Sequence, residues 1–315
     1  MRVFVTGASG WIGSAVIPEL IASGHQVVGL ARSDAAAAAI DAAGAEVQRG
    51  DLDDLSILRS AAAASDGVIH LAFRHDLSFA GGMEAAAAVD RRAIETFGEE
   101  LAGSDRPFVL ASGTLGLAIG RLATERDGHG DDPRFAGGPE ARRANAEMTL
   151  ALAARGIRSS IVRLAPTVHG DGDHGFMAML VKVAREKGVS GYVGSGTNRW
   201  PAVHRLDAAR LFKLALESAP AGSTLHAIGD EGVELRAVAQ VIGRQLDVPV
   251  RAFSPEDAPA HFGFLGALLA LDSPASSALT QDLLGWKPTH PGLIDDLEQG
   301  HYFTNLPAVM NQSQP

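Results

Sequence analysis

The chain has 315 residues, of which 46% are hydrophobic, with a formal net charge of −10 at pH 7 and no cysteine. A chain of this length and composition buries a sizeable core, enough for one large domain and a smaller one. The negative charge argues against nucleic-acid and anionic-membrane partners, which need clustered Lys and Arg, and the lack of cysteine excludes disulfides and thiolate chemistry. We therefore expect a globular protein with a small-molecule partner.

Short β-rich runs alternate with Ala-rich helical runs through the first half of the chain. The strands are continuous apolar runs rather than alternating ones, which is typical of a parallel sheet covered on both faces. This order predicts an α/β fold built on a doubly wound parallel Rossmann sheet. The predicted strands are VFVTG, QVVGLA, EVQRG, GVIHLAF, PFVLAS and SSIVRLA, and the predicted helices span 12–23, 34–43, 54–64, 83–102 and 140–155.

After about Ala165 the alternation becomes irregular and Gly-rich stretches appear, which indicates a second, smaller region. We predict a dinucleotide-binding Rossmann domain over 1–165, to which 201–222 return. The segments 166–200 and 223–307 then form a C-terminal substrate lobe, and the polar residues 308–315 form a flexible tail.

No segment of the sequence predicts export or membrane insertion. MRVFVTG leads directly into a strand, without the charged and apolar segments of a signal peptide. The longest apolar candidate, 262–272, is shorter than the roughly 20 residues of a membrane helix. We interpret it as a helix on the core or over a pocket, and we expect a cytoplasmic protein with no membrane partner.

The segment TGASGWIG places three glycines between the first strand and the first helix. Glycine is needed there because the chain turns tightly and its backbone N–H groups must approach a pyrophosphate at the positive end of a helix. The spacing is G-x-x-G-x-x-G rather than the commoner G-x-G-x-x-G. The sequence therefore predicts dinucleotide binding by this loop. The predicted cofactor contacts are Gly7, Ser9, Gly10, Trp11, Ile12 and Gly13.

The end of the second strand, GLARSD, bears on the choice of cofactor. An acidic residue at Ala31 would bind a ribose 2′-hydroxyl, whereas Arg32 and Ser33 offer a cation and a hydroxyl to a 2′-phosphate. NADP(H) is therefore preferred, and NAD(H) is possible. The alternative is that Arg32 is a solvated surface charge and that Asp34 contacts the ribose.

Further cofactor contacts are expected where the third and fourth strands end, because ligands of open α/β sheets bind outside the carboxyl ends of the strands. Asp51 is placed to accept a hydrogen bond from the adenine amine. His70 is either near the cofactor or a satisfied core residue. The predicted contacts at these ends are Asp51, Leu52, Leu71, Ala72 and Phe73.

Seven motifs resemble, in order, those of the extended short-chain dehydrogenase/reductase superfamily, in the branch of NAD-dependent epimerases and dehydratases. They are TGASGWIG, GDLDD, HLAF, LASGT, RLAPTVHGDG, WPAVHRLDAARLF and LLGWKPTH, and they cover nearly the whole chain. The resemblance implies a Rossmann sheet with a C-terminal substrate lobe and a nicotinamide cofactor near Ala165, Thr167 and Val168. A homodimer formed through 83–102 and 140–155 is possible by the same analogy.

In that superfamily the chemistry uses a Ser or Thr after the fifth strand and a Tyr-x-x-x-Lys on the next helix. Ser112 matches the hydroxyl position, and Thr114 follows closely. The tyrosine and lysine positions fall on Pro139 and Arg143, so the resemblance implies an atypical active site. Arg143 is expected either to hydrogen-bond the nicotinamide ribose or to be a solvated cation. The loss of a general acid costs about 10²–10⁴ in rate, which leaves hydride transfer open to another donor.

Four residues are candidates for a replacement acid, namely His169, His174, Tyr192 and His204. Histidine titrates near neutrality and can give or take a proton, and by family position these residues lie near the nicotinamide or line the substrate pocket. Each is otherwise explained by packing or polar lining. A metal site formed by His169 and His174 with Asp171 and Asp173 lacks ligand spacing, so we expect no metal. Asp207 is predicted to cap the following helix.

The preferred hypothesis is an NADP(H)-dependent oxidoreductase that acts on a small carbonyl, enone or imine, with Ser112 polarising the acceptor. A second hypothesis is a non-catalytic NADP(H)-binding, sensor-like protein, which the missing Tyr and Lys would fit. A third is an epimerase or lyase with tightly held cofactor, since a fold does not fix a chemistry. The oxidoreductase is favoured because a binding module would have no need of Ser112.

Overall fold

A computed structural model describes residues 1–79, 81–128 and 136–304. The predicted tail, 308–315, lies outside the described residues. The strands are β1 (Arg2–Thr6), β2 (Gln26–Ala31), β3 (Glu46–Arg49), β4 (Gly67–His70), β5 (Pro107–Gly113), β6 (Arg158–Leu164), β7 (Thr167–His169), β8 (Ser190–Val193), β9 (Arg199–His204), β10 (Ser223–Ala227), β11 (Asp230–Glu234) and β12 (Val250–Phe253).

The helices follow the predicted order with small shifts at their ends. They are α1 (Gly13–Ala22), α2 (Asp34–Ala42), α3 (Leu55–Ala63), α4 (His75–Phe79), α5 (Met83–Glu100), α6 (Gly138–Ala151), α7 (Phe176–Lys187), α8 (Arg205–Ser218), α9 (Leu235–Leu246), α10 (Ala258–Phe262), α11 (Leu265–Leu268), α12 (Ala278–Leu284), α13 (Leu293–Glu298) and α14 (His301–Thr304). Among the described residues, no helix is long and apolar enough to cross a membrane.

A seven-stranded sheet forms the centre of the molecule, in the order β10-β6-β5-β4-β1-β2-β3. Every neighbouring pair in it is parallel. Side chains alternate across β1, so that Val3 and Val5 pack in a core with α1 and α8, while Phe4 packs in a core with α3 and α5. The predicted fold class, a doubly wound parallel α/β sheet, is confirmed.

The strand order reverses beside β1, which has β4 on one side and β2 on the other. At such a point the connecting loops diverge and leave a crevice at the carboxyl ends of the strands. The glycine loop follows β1, and the segment that begins at Leu71 follows β4. Two of the predicted cofactor segments therefore border the same crevice.

The predicted domain boundaries need correction at two places. β10 lies within 223–307, the segment assigned to the substrate lobe, but it pairs with β6 as the edge of the central sheet. Residues 201–204, assigned to the Rossmann domain, belong to β9, which pairs with β7 and β11 in a separate sheet. The alternation of strands and helices in the sequence does not show which strands pair, so it did not reveal the partners of these two. The remaining division stays a prediction.

The second region holds its own apolar core beside two small sheets, β11-β9-β7 and β12-β8. The apolar segment 262–272, predicted as one helix, instead contributes to α10 and α11. Gly263 lies between these two helices with φ at +61°, a positive value that favours glycine and ends the first of them. Phe262, Leu265 and Leu269 pack into this core.

Candidate active site

The glycine loop is shaped by contacts between backbone atoms. Gly7 has φ at +67°, and a Cβ built there would lie 2.7 Å from the nitrogen of Ala72. A Cβ on Gly13 would lie 2.1 Å from the carbonyl oxygen of Gly7. The Gly10 N–H donates to the same oxygen at 2.9 Å, which closes the turn. Only residues without side chains allow the loop, the start of α1 and the end of β4 to approach so closely.

His70, which the sequence left open, is a core residue with hydrogen-bond partners on both ring nitrogens. It is fully buried, with Nδ1 2.5 Å from the hydroxyl of Thr6 and Nε2 3.1 Å from Asp90. Asn145 on α6 donates to the other oxygen of Asp90 at 2.8 Å. The Thr6 hydroxyl also accepts from the N–H of Ala72 at 3.2 Å. This network fixes the segment after β4 relative to the glycine loop.

Arg32 and Ser33, the predicted 2′-phosphate ligands, differ in how far their side chains are already engaged. The Ser33 hydroxyl accepts from the N–H of Ala36 at 3.2 Å and so caps α2. Arg32 is exposed after β2, and its described ion pair is long, with 3.8 Å to Asp76. Asp34, the alternative ribose ligand, is paired with Arg49 at 2.6 Å. Arg32 therefore has the more available side chain.

The predicted adenine end is held by ion pairs that the sequence did not reveal. Arg74, just after Phe73, binds Asp53 at 3.1 Å and Asp76 at 2.9 Å. These carboxylates raise the pKa of Arg74 above its usual range, chiefly through the hydrogen bonds from Asp76. Among the predicted contacts here, Leu52 is buried and Asp51 half-buried. The N–H of Asp51 donates to the Asp54 carboxylate at 2.8 Å.

Ser112 and Thr114 differ in whether their hydroxyls are already hydrogen-bonded within the described residues. Ser112 lies near the carboxyl end of β5 and is 8% exposed, and in the described parts of the chain its hydroxyl has no hydrogen-bond partner. Thr114 is fully buried and its hydroxyl donates to the carbonyl of Leu164 at 3.3 Å. Of the two predicted hydroxyls, that of Ser112 is free to polarise a ligand.

Helix α6 carries the positions at which the resemblance places Tyr and Lys. Pro139 lies in its first turn and Arg143 is half-buried one turn later. The two tyrosines of the chain, Tyr192 and Tyr302, lie on other elements. Arg142 extends over the ring of Phe73, with its guanidinium carbon 4.0 Å from the ring centroid, and its burial lowers its pKa.

Trp11 joins the glycine loop to the second region. Its indole N–H donates to the carbonyl of Val168 at 2.9 Å. The ring meets the edge of His174 at a centroid distance of 5.6 Å, and the guanidinium carbon of Arg205 lies 4.2 Å from a ring centroid of the indole. The structure thus brings together the predicted contacts Trp11 and Val168. Two others, Ala165 and Thr167, are buried beside them in the chain.

His75 is a functional candidate that the sequence reasoning missed. It begins α4, and its ring lies 5.3 Å from that of Phe73. Burial lowers the pKa of His75 to about 4, and the positive charges of Arg142 and His174 add to the effect. No motif marks this residue, because its neighbours come from α6 and from the loop after β7.

His169 is fully buried and points into the second region. Its Nδ1–H donates to Asp296 at 2.9 Å, and Nε2 of His301 meets the other oxygen of Asp296 at 3.1 Å. Burial alone would raise the pKa of Asp296, but these contacts with His169 and His301 lower it. Nε2 of His169 is buried without a partner in the described residues. The catalytic role of His169 stays a prediction.

His204 serves as the N-cap of α8, a role that the sequence assigned to Asp207. Nδ1 of His204 accepts from the N–H of Leu206 at 3.3 Å, and its ring stacks on His290 at 4.6 Å. Burial lowers the pKa of His204 to about 4, assisted by the charges of His169 and His290. The carboxylate of Asp207 instead accepts from the N–H of His290 at 2.9 Å. The capping assignment was wrong because the helix begins two residues earlier, at Arg205.

The other candidate residues of the second region lie in two places. Tyr192 is on β8 opposite Ala252 of β12, and no described contact joins it to Ser112 or to the glycine loop. Asp173 accepts from the hydroxyl of Tyr302 at 2.8 Å, and burial raises its pKa. The described residues contain no group of three or more His, Asp or Glu side chains arranged to hold a metal ion.

A sequence profile of the NAD-dependent epimerase/dehydratase family matches residues 3–94, the part that contains the glycine loop. Over 278 residues the chain is 30% identical to 4-hydroxy-2-methyl-3-oxo-4-farnesyl-3,4-dihydroquinoline-1-oxide ketoreductase of Stigmatella aurantiaca, covering 84% of this chain and 80% of that protein. The chain belongs to the NAD-dependent epimerase/dehydratase family. The resemblance seen in the seven motifs is thereby confirmed.

A further relative and a solved structure extend the comparison. The chain is 49% identical over 304 residues to an uncharacterized protein of Schizosaccharomyces pombe, covering 96% of this chain and 100% of the relative. Its fold matches dTDP-glucose 4,6-dehydratase of Streptomyces venezuelae, solved with NAD bound, with a TM-score of 0.74, 21% identity and 96% coverage of each chain. The family depends on a nicotinamide dinucleotide.

Proposed function

We propose that this chain is an NADP(H)-dependent oxidoreductase that transfers hydride between the nicotinamide and a small carbonyl, enone or imine without the usual Tyr-Lys pair. The observation that carries the proposal is the Ser112 hydroxyl, which has no partner among the described residues and lies near the carboxyl end of β5. The relative that is named a ketoreductase supports a carbonyl acceptor.

The residues around the crevice fit a dinucleotide. The glycine loop is packed so tightly at Gly7 and Gly13 that a Cβ would collide with backbone, and this leaves its N–H groups to hold the pyrophosphate at the start of α1. Arg32 would bind the 2′-phosphate, and Asp51 would accept a hydrogen bond from the adenine. Val168, which is held by the indole of Trp11, would border the nicotinamide.

When bound, the dinucleotide supplies or accepts the hydride. The Ser112 hydroxyl donates a hydrogen bond to the acceptor oxygen or nitrogen, where negative charge develops during reduction. A proton must reach the same atom. Of the acids considered from sequence, His174 contacts Trp11, whereas the rings of His169 and His204 are engaged within the second region. We assign the donation of this proton to His174.

A second candidate function is a non-catalytic NADP(H)-binding protein. The observation in its favour is α6, which presents Pro139 and Arg143 where the resemblance places Tyr and Lys. Loss of a general acid lowers the rate by about 10²–10⁴ but leaves cofactor binding untouched. A sensor and an impaired reductase therefore share one binding site and differ in turnover.

The test measures NADPH consumption by the purified protein with ketones, aldehydes, enones and imines offered as substrates. NADPH binding is measured in parallel. Ser112→Ala is expected to lower turnover by about 10²-fold with an unchanged Kd for NADPH. Ser23→Ala, at an exposed serine beyond α1, is the matched control and should behave as wild type. Equal turnover of Ser112→Ala and wild type would refute the role of Ser112. Binding without turnover on every class would favour the sensor.

A further inference from the structure

The guanidinium of Arg205 lies beside the glycine loop and has no ion-pair or hydrogen-bond partner among the described residues. It is the first residue of α8 and is half-buried, with its guanidinium carbon 4.2 Å from a ring centroid of Trp11. Within residues 1–79, 81–128 and 136–304, its guanidinium makes no hydrogen bond and no ion pair. The stacked ring of Trp11 is the contact that the structure describes for this charge.

The two carboxylates whose charge acts on Arg205 form no ion pair with it in the described residues. Asp171 and Asp173 act on its charge from a distance, but neither forms an ion pair with it. Asp173 is engaged by the hydroxyl of Tyr302 at 2.8 Å and by the N–H of Gly175 at 2.6 Å. Asp171 is exposed and lies 3.9 Å from His301. The hydrogen-bond donors of this guanidinium therefore have no protein partner among the described residues and stay open to solvent or to a ligand.

A half-buried guanidinium without an anionic partner has lost part of its hydration, and stacking on an aromatic ring offsets this only in part. Its burial indeed lowers the pKa of Arg205. Such an arrangement is suited to an anion that arrives with a ligand. The planar fork of arginine binds two oxygens of a phosphate at once.

The position of Trp11 indicates which anion this is. Trp11 lies between Gly10 and Gly13 in the loop proposed to hold the pyrophosphate, and its hydrogen bond to Val168 keeps the ring in place. A cation stacked on this ring lies beside that loop. We propose that Arg205 is a side-chain ligand for the pyrophosphate of the dinucleotide, supplied from the start of α8. This proposal rests on the proposed function for the presence of a dinucleotide.

The experiment compares three probes on wild type and on Arg205→Met, which keeps a long side chain over Trp11 but removes the charge. NADPH and ADP-ribose contain the pyrophosphate, whereas 2′-AMP does not. In Arg205→Met we expect Kd to rise about tenfold or more for NADPH and ADP-ribose, and to change less than about twofold for 2′-AMP. Arg205→Lys, which retains a cation, should recover part of the loss.

The controls separate this contact from a change in folding and from the proposed function itself. Arg91→Met removes an exposed cation on α5 that is paired with Glu95, and it should leave all three Kd values unchanged. An unchanged Kd of ADP-ribose in Arg205→Met would overturn the proposal, as would equal losses for all three probes. Failure of wild type to bind NADPH would instead overturn the proposed function.

Discussion

The glycine loop after β1 and the loop after β7 meet through Trp11, yet they are held in different ways. In the first, backbone approaches backbone, and a Cβ on Gly13 would lie 2.1 Å from a carbonyl oxygen. In the second, side chains from the C-terminal helices hold the loop, with Tyr302 bound to Asp173 across 129 positions of sequence. The glycine spacing marks the first loop in the sequence, whereas no local pattern marks the partners that hold the second.

The largest effect is expected from Gly13→Ala, which breaks the first arrangement. The added Cβ meets the backbone oxygens of Gly7 and Ala8, which cannot move without displacing the start of α1. We expect a fall of about 3 kcal/mol in the free energy of unfolding and no measurable NADPH binding, by chemical denaturation and calorimetry. Gly128→Ala is the control, because no atom of the described residues lies within 4 Å of its added Cβ. Wild-type NADPH affinity in Gly13→Ala would contradict the account.

Asp296→Asn tests the second arrangement. The neutral amide has one acceptor oxygen and no charge, so the two charge-assisted contacts of the carboxylate with His169 and His301 are lost. We expect a loss of about 2 kcal/mol in the free energy of unfolding, with the Kd for NADPH within about twofold of wild type. The exposed neighbour provides a control, Asp295→Asn, which should change stability by less than about 0.5 kcal/mol. Loss of turnover with unchanged stability would show instead that this network belongs to the catalytic machinery.

His226 lies on the edge strand of the central sheet, and its hydrogen-bond partner is far along the chain, as are those of the second region. It lies on β10, and its Nδ1–H donates to the carbonyl of Ser276 at 2.8 Å. Burial lowers its pKa to about 4, and the charge of Arg163 opposes its protonation. Because the unfolded chain takes up this proton near pH 6.5, the stabilising contribution is complete above that pH. It is lost as the pH falls towards 4.

Between pH 7.5 and pH 5, His226 should therefore account for about 2 kcal/mol of lost stability. In His226→Asn, whose side-chain N–H can still donate to Ser276, the loss over this range should be smaller by that amount. Urea denaturation at both pH values measures the difference. The same pH dependence in the variant and in wild type would refute the assignment to His226.

The sequence was sufficient for the fold class and for the crevice because both depend on local patterns. Continuous apolar strands demand a covered parallel sheet, and the spacing of Gly7, Gly10 and Gly13 reflects the clearance between neighbouring backbones. The position of Ser112 near the carboxyl end of β5 follows from the same order of elements. These inferences need no knowledge of which distant residues touch.

The sequence was insufficient where a residue's role depends on partners far along the chain. His169 and Asp296 are 127 positions apart, and no spacing rule joins them. His75 and Arg205 were missed because their environments come from α6, Trp11 and the loop after β7. Asp207 was assigned as a cap because the pattern did not show that α8 begins at Arg205.

The most direct test of the central claim, an NADP(H) site at the carboxyl ends of β1 and β2, is the Kd of NADPH and of NADH for wild type and Arg32→Asp. We expect wild type to bind NADPH about tenfold more tightly than NADH, because a charge-assisted hydrogen bond to the 2′-phosphate contributes about 1.5 kcal/mol or more. Arg32→Asp should reverse the preference. Failure of wild type to bind either dinucleotide, or the same preference in both proteins, would contradict the account.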